Sequence, residues 1–198
     1  MIHSLDVSVP KALRTRPKDK RGYPIPFVVF IDANKRPHFT VSSHERVAVA
    51  AKKRLCGLCG GKLKDGAWFI GGSRCFEDPR GAFIDPAMHE ECARYAVQVC
   101  PYLGAPSYGR RIDDRTVSAG NLPEDTVITT NAAPMPEDRP VLFGLGRCNG
   151  FIRIPQPNGA EIFSPREGWT QIEWWQHGKR LDGAELEEAL AKDRLRWR

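Results

Sequence analysis

Apolar residues fall into short runs with two different periods. Phe27-Val28-Val29-Phe30-Ile31 is a β-branched and aromatic run that predicts a buried strand. Asp32-Ala33-Asn34-Lys35 supplies a turn, and His38-Phe39-Thr40-Val41 reads as the returning strand, with Pro37 placing it at an edge. The period then becomes helical. Val47, Ala48, Ala51 and Leu55 share one face, and Ser42 with Glu45 forms a capping box for a helix over about 43–55. Ala67-Trp68-Phe69-Ile70 predicts a strand, Gly71-Gly72-Ser73 a turn or bulge, and Ala82-Phe83-Ile84 a second short strand. Asp85 as N-cap and Pro86 at the first helical position predict a helix to about Val99, and Pro101 ends it.

Beyond residue 140 the pattern is mostly β. Val141-Leu142-Phe143-Gly144, Phe151-Ile152-Arg153-Ile154, Glu161-Ile162-Phe163 and the alternating stretch 170–176 are separated by Gly, Pro and Asn, and His177-Gly178 turns the chain. Asp182 with Glu185, and Leu181 with Leu186 as a hydrophobic staple, open a last helix over about 183–191. Residues 103–139 are rich in Pro, Gly and Asp and read as a long loop or linker with one strand at 126–130. Residues 1–22 read as a basic flexible tail. The organisation expected is therefore that tail, an α+β unit over 23–102, the linker, and a β-rich unit with a C-terminal helix over 140–198. The last unit can pack with 23–102 as one domain.

The chain has 198 residues, 41% hydrophobic and 27% charged, the balance of a globular protein. Its net charge of +6 comes from 30 basic residues against 24 acidic ones, which tilts partners toward anions while leaving a mixed, solvated surface. No stretch approaches the length of a transmembrane helix, and Met1-Ile2-His3-Ser4-Leu5-Asp6 is not the start of a signal peptide. A cytoplasmic setting is expected, and in a reducing compartment paired cysteines favour metal over disulfide.

Two of those pairs stand out. Cys56-Gly57-Leu58-Cys59-Gly60-Gly61 suits a tight turn that aims two thiolates at one ion. His89 and Cys92, three apart, share a helix face. Three thiolates and one imidazole close a tetrahedral site, so Cys56, Cys59, His89 and Cys92 are the expected ligands of one structural Zn2+. Cys75 is an alternative to His89, while Cys100 and Cys148 read as small buried thiols. A knuckle, a hairpin and a helix whose first turns carry the last two ligands is the order of a treble clef. The fold class expected is α+β: a treble-clef-like zinc unit (β-hairpin, helix, zinc knuckle, hairpin, helix) plus a small antiparallel sheet with a C-terminal helix.

Arg21-Gly22-Tyr23-Pro24-Ile25-Pro26-Phe27, the Cys56–Gly60 knuckle, Phe69-Ile70-Gly71, the segment from Met88 to Ala96 and Cys100-Pro101-Tyr102-Leu103 together resemble a group of uncharacterised bacterial and bacteriophage proteins. Ile172–Arg180 and the acidic helix after it fit the same group. The resemblance implies a bacterial or infected-cell cytoplasm and metal binding through the four residues named. It implies no reaction.

Three functions follow from these residues. The first is a non-enzymatic zinc module that contacts nucleic acid. Its candidate contacts are Lys11, Arg14, Arg16, Lys18, Lys20 and Arg21 in the tail, Lys52, Lys53 and Arg54 at a helix end, and Arg110, Arg111 and Arg115 in the linker, with Trp68 and Trp197 as exposed aromatics. Each basic group also has a structural reading, as a solubilising terminus or as cations at a helix C-terminus. The second is a protein-interaction module docking on an acidic host protein through Trp169, Trp174, Trp175 and Trp197, although one of the adjacent pair 174/175 should fill the core. The third is a metal-dependent nuclease, for which residues 67–85 lack the required His and leave Glu90 and Glu91 as the only helix-borne acids. No catalytic residue is assigned.

Overall fold

The computed structural model describes residues 7–64, 66–77, 81–104, 140–157 and 160–196. The expected strand at 126–130, Arg110, Arg111, Arg115 and Trp197 lie outside the described residues.

The basic N-terminal stretch is packed from residue 7 onward. A single turn, α1 (Lys11–Arg14), places Leu13 in the core at 2% exposure. Asp19 accepts hydrogen bonds from the backbone N–H of Arg21 and of Tyr23, both at 2.9 Å, and Lys18 bridges Pro24. A free arm would need exposed apolar residues to stay solvated. Leu13 does the opposite and anchors the segment.

The predicted hairpin forms as β1 (Val29–Ile31) and β2 (Pro37–Ser42), antiparallel, with an irregularity between Val29 and Phe30. α2 (His44–Lys53) follows. Its cap is Ser43, whose Oγ accepts from the Arg46 N–H at 3.4 Å, not Ser42, which the β-ladder uses. Arg54 closes the helix in the left-handed region at φ 52°, a conformation that usually selects Gly.

The two halves of the chain meet in one four-stranded antiparallel sheet. β3 (Ala67–Gly72) pairs with β4 (Phe143–Cys148), β4 with β7 (Gln171–Gln176), and β7 with β8 (Lys179–Leu181). The hairpin expected between β3 and residues 82–84 is therefore absent. Phe83 instead bridges Phe163 of the separate ribbon β5 (Phe151–Pro155) and β6 (Glu161–Pro165). The neighbour β3 takes from its own half is Met88, which exchanges backbone hydrogen bonds with Trp68 at 2.8 and 3.0 Å.

Two glycines make the sheet flat enough for aromatic cover. A Cβ at Gly144 or Gly146 would stand 2.5 or 2.4 Å from the ring of Phe76, which lies on the short helix α3 (Arg74–Glu77). Phe76 stacks at 4.8 Å from Trp169, and Phe69, fully buried, lies 5.1–6.4 Å from Phe83, Phe151, Phe163 and Trp169. Apolar cores of this kind supply most of the favourable folding free energy.

α4 (Glu90–Val99) packs on β3 and β4, and a final turn, α5 (Pro101–Gly104), follows it. α4 starts four residues later than Asp85 predicts, with His89 in the N-cap place. Residues 87 and 88 stay extended because their backbone groups are spent elsewhere: Ala87 accepts from Gly57 N–H at 3.0 Å, and Met88 pairs with Trp68. Arg94 ties this helix to the sheet, grasping the buried Glu173 of β7 through Nε and Nη2 at 3.2 and 2.5 Å. The C-terminal helix α6 (Gly183–Arg196) runs five residues past its expected end, and Ser73 Oγ donates to its buried Asp193.

Candidate metal centre

The knuckle is built by short backbone ladders on either side of its turn. Cys56 N–H donates to the Gly61 carbonyl at 2.8 Å and Gly60 N–H to Cys56 at 2.8 Å, while Leu55 bridges Lys62. Gly60 sits at φ +77°, and a side chain there would also strike the Phe27 ring at 2.9 Å. The opposite wall is the start of α4. His89 is the N-cap residue but makes no side-chain cap, because its ring turns toward the knuckle.

The result brings together the four residues the sequence singles out. The ligand atoms of Cys56, Cys59, His89 and Cys92 all lie within 4.8 Å of one another. Cys59 Sγ is 3.3 Å from His89 Nδ1. A tetrahedron with metal–sulfur bonds of about 2.3 Å and a metal–nitrogen bond of about 2.0 Å has edges of about 3.6–3.8 Å, so the donor set fits one ion with small adjustments. Cys56 and Cys92 are fully buried. Cys75 packs against Gly71 and does not belong to the group, which settles the choice in favour of His89.

Backbone donors reach two of the sulfurs, and the imidazole turns its Nε2 to a carbonyl. Cys59 Sγ accepts from Gly61 N–H at 3.3 Å and Cys56 Sγ from His89 N–H at 3.4 Å. His89 Nε2–H donates to the Lys62 carbonyl at 3.0 Å, which leaves the Nδ1 lone pair for a metal. The three sulfurs compete for charge. Hydrogen bonds from Cys59 and Cys92 hold the Cys56 thiol far below its ordinary range, while the hydrogen bonds it shares with Cys56 and Cys59, together with burial, push Cys92 far above. A cation at their centre removes that conflict. Burial also raises Cys75, and it pushes Cys148 up to about 11, so these remain neutral thiols at neutral pH.

The basic candidates separate into two kinds. The N-terminal ones are largely engaged within the chain. Arg14 Nε donates to the Val9 carbonyl at 3.1 Å, and Arg16 Nε to Ile25 at 3.0 Å with its guanidinium over the Phe27 ring. Arg21 pairs with Asp19 at 2.7 Å and lies over Tyr23 and Phe39. Lys11, Lys18 and Lys20 are exposed. At the knuckle the picture differs. Lys52 and Lys53 are exposed at the end of α2, and Arg54 follows with its guanidinium 5.0 Å from the Phe151 ring. Sequence reading missed three neighbours: Lys62 and Lys64, exposed on either side of the buried Leu63, and Arg147, whose Nε lies 3.1 Å from the Cβ position of Gly66. The signal for the first two was the alternation Lys-Leu-Lys just after the knuckle. Among the described residues none of these six has an ion-pair partner.

The aromatic candidates move inward. Trp68, expected at the surface, is 2% exposed because β3, although an edge strand, is covered by α4 and bridged at Met88. Trp175 is buried at 7%, and Trp169 and Trp174 are half-buried. Of the two acids considered for nuclease chemistry, Glu90 pairs with Arg94 at 2.8 Å and Glu91 is exposed. No helix among the described residues is long and apolar enough to cross a membrane.

No family model matches the chain, and neither a curated protein nor a solved structure matches it.

Proposed function

We propose that the chain is a non-enzymatic binding module held together by one structural zinc ion and that it contacts nucleic acid through the basic surface beside the knuckle. The observation that carries this reading is the set Lys52, Lys53, Arg54, Lys62, Lys64 and Arg147, none of which has an ion-pair partner among the described residues, although Glu90 and Glu91 line the same cleft as Lys62 and Lys64. Cations left unpaired beside a rigid turn are a phosphate-binding arrangement. Zinc is the metal of choice because three thiolates and an imidazole are its preferred structural donors, and all four positions would be filled by protein. A scaffold role follows from that closure, with no position left for water or substrate.

The local order is treble-clef-like in this proposal: knuckle, β3, an antiparallel return at Met88, then α4 with ligands at its cap and first turn. The bacterial or phage setting belongs to the same proposal and rests on the sequence resemblance.

The test is a salt titration of binding to short DNA and RNA, run on zinc-loaded protein. Affinity should fall steeply with salt, with a log–log slope of about −0.9 per phosphate contacted on duplex DNA. Replacing Lys52, Lys53 and Arg54 with Ala should flatten the slope, and Cys59→Ser should lose zinc and fold together. Salt-independent binding, or none at low salt, would overturn the reading.

A second reading has one observation in its favour. Ile84, Ile152 and Ile154 are 38%, 42% and 41% exposed, with the latter two on one face of β5. Apolar surface of that kind suits a protein partner. Nucleic-acid binding unaffected by the knuckle lysines, with capture of a host protein lost in Ile152→Asp, would favour it instead.

A further inference from the structure

His89 faces two ways, and on its far side lie Lys62 and Lys64, in a cleft that also holds Glu90, Glu91 and Arg94. Nδ1 looks into the cysteine cluster, 3.3 Å from Cys59 Sγ. Nε2–H donates to the carbonyl of Lys62 at 3.0 Å. That carbonyl belongs to the strand leaving the knuckle, which is pinned on both flanks. Gly61 N–H donates to Cys59 Sγ at 3.3 Å, and Leu63 N–H donates to the Arg54 carbonyl at 2.9 Å. Leu63 is 5% exposed and points inward, so the side chains on either side of it, Lys62 and Lys64, point outward. The two lysines therefore ride on a backbone to which the imidazole adds one tie, at Lys62 itself, beside the Leu55 bridge and the two flanking bonds.

We propose that metal occupancy regulates nucleic-acid affinity through this one ring: His89 is a positioning residue that links the metal to the phosphate-contacting lysines Lys62 and Lys64. The inference rests on the nucleic-acid reading above and adds a control element to it. A metal on Nδ1 fixes the ring's rotation and locks the proton on Nε2, and it withdraws electron density, making Nε2–H a stronger donor to Lys62. Loss of the metal releases the ring to rotate away from the Lys62 carbonyl. The carbonyl of Lys62 then loses its partner, and the lysines must be ordered at the moment of binding, which costs affinity.

The imidazole can be separated from the metal. His89→Cys offers a fourth thiolate, so the ion stays, but it has no second nitrogen to reach Lys62. The experiment measures zinc per chain and oligonucleotide affinity across a salt series for wild type, His89→Cys and Lys62→Ala/Lys64→Ala. The expected result is one zinc in each, with both variants weaker than wild type by roughly three- to tenfold and with slopes shallower by about one to two. A zinc-loaded His89→Cys protein that binds with wild-type affinity and slope overturns the tie while leaving the nucleic-acid reading intact. Wild type that binds no oligonucleotide overturns both.

A second measurement stands if His89→Cys fails to load zinc or fold. Nitrogen-15 NMR of the imidazole in zinc-loaded wild type should show Nδ1 metal-bound and Nε2 protonated, with the Nε2 proton protected from exchange. A metal-bound Nε2, or a freely exchanging proton, overturns the tie directly.

Discussion

Glu173 is the most heavily committed single charge in the molecule. Its side chain is 1% exposed, in the middle strand pair of the sheet, with Arg94 on both oxygens, Gln171 at 3.0 Å and Arg180 at 3.8 Å. Burial alone would raise its pKa, but the hydrogen bonds and charge of Arg94 outweigh that, and the carboxyl is held below its ordinary value. A depressed folded pKa means that the stabilisation is fully present above the unfolded value of about 4.3 and is lost as pH falls through the folded one. Glu173→Gln should therefore cost about 2 kcal/mol near neutrality. In chemical denaturation the gap from wild type should narrow as pH falls from about 4.3 through the lower folded value, beneath which both side chains are neutral. A gap constant with pH would mean that the pair contributes shape and not charge. This clasp was not legible in the sequence. The sequence alone assigns no role to Arg94 or Glu173, since nothing local records that a helix and a strand from different halves of the chain will face each other. The four cysteine and histidine ligands were legible because metal geometry forces close spacing within each pair.

At the scale of elements, the strands and helices were legible wherever the periodic pattern was sustained, as in α2, β3 and β7. Pairing was not. β3 looked like half of a local hairpin because residues 82–84 are apolar, but the segment between is too occupied by α3 and its aromatic Phe76 to turn tightly. The start of α4 was misplaced for a related reason. Asp85-Pro86 is a sound local start signal, overridden by backbone hydrogen bonds to Gly57 and Trp68 that no local rule can foresee. β4 carries its own instruction in Phe143-Gly144-Leu145-Gly146, where alternate glycines open one face to Phe76 and Trp169. Gly146→Ala would place a methyl 2.4 Å from Phe76 and 2.5 Å from Trp169. It should lower the denaturation midpoint by an amount equivalent to about 2 kcal/mol or more. Gly150→Ala meets nothing within 4 Å and should stay close to wild type.

For the molecule as a whole, the hydrophobic core draws on both halves of the chain, from Leu13 to Trp175, and the candidate metal centre contributes Cys56 and Cys92 to it. His89 and Cys92 anchor the first turn of α4, and Arg94, on the next turn, holds β7. Stripping the metal with a strong chelator should therefore be felt beyond the knuckle. The expected outcome is loss of near-ultraviolet circular dichroism from Trp68 and Trp175, together with a melting temperature lower by roughly 10 °C or more, since each kcal/mol lost from a domain of this size is worth about 2–4 °C. A chelated protein with an unchanged aromatic spectrum would confine the metal's influence to the knuckle.

The pairing of β3 with β4 also fixes an order of events at the ribosome. Ala67 needs Cys148 and Gly72 needs Phe143, so the central sheet cannot close until most of the chain has been made. All four ligands, by contrast, have been synthesised once Cys92 is added. At bacterial or eukaryotic elongation rates the interval lasts some seconds. During it, ion capture would reinforce the backbone bonds of Gly57 to Ala87 and of Trp68 to Met88, while Phe69 still awaits the rings of Phe151, Phe163 and Trp169. A metal bound there would act first as a placeholder for a sheet that has yet to be translated, and the yield of native chain should then rise with metal supply during synthesis.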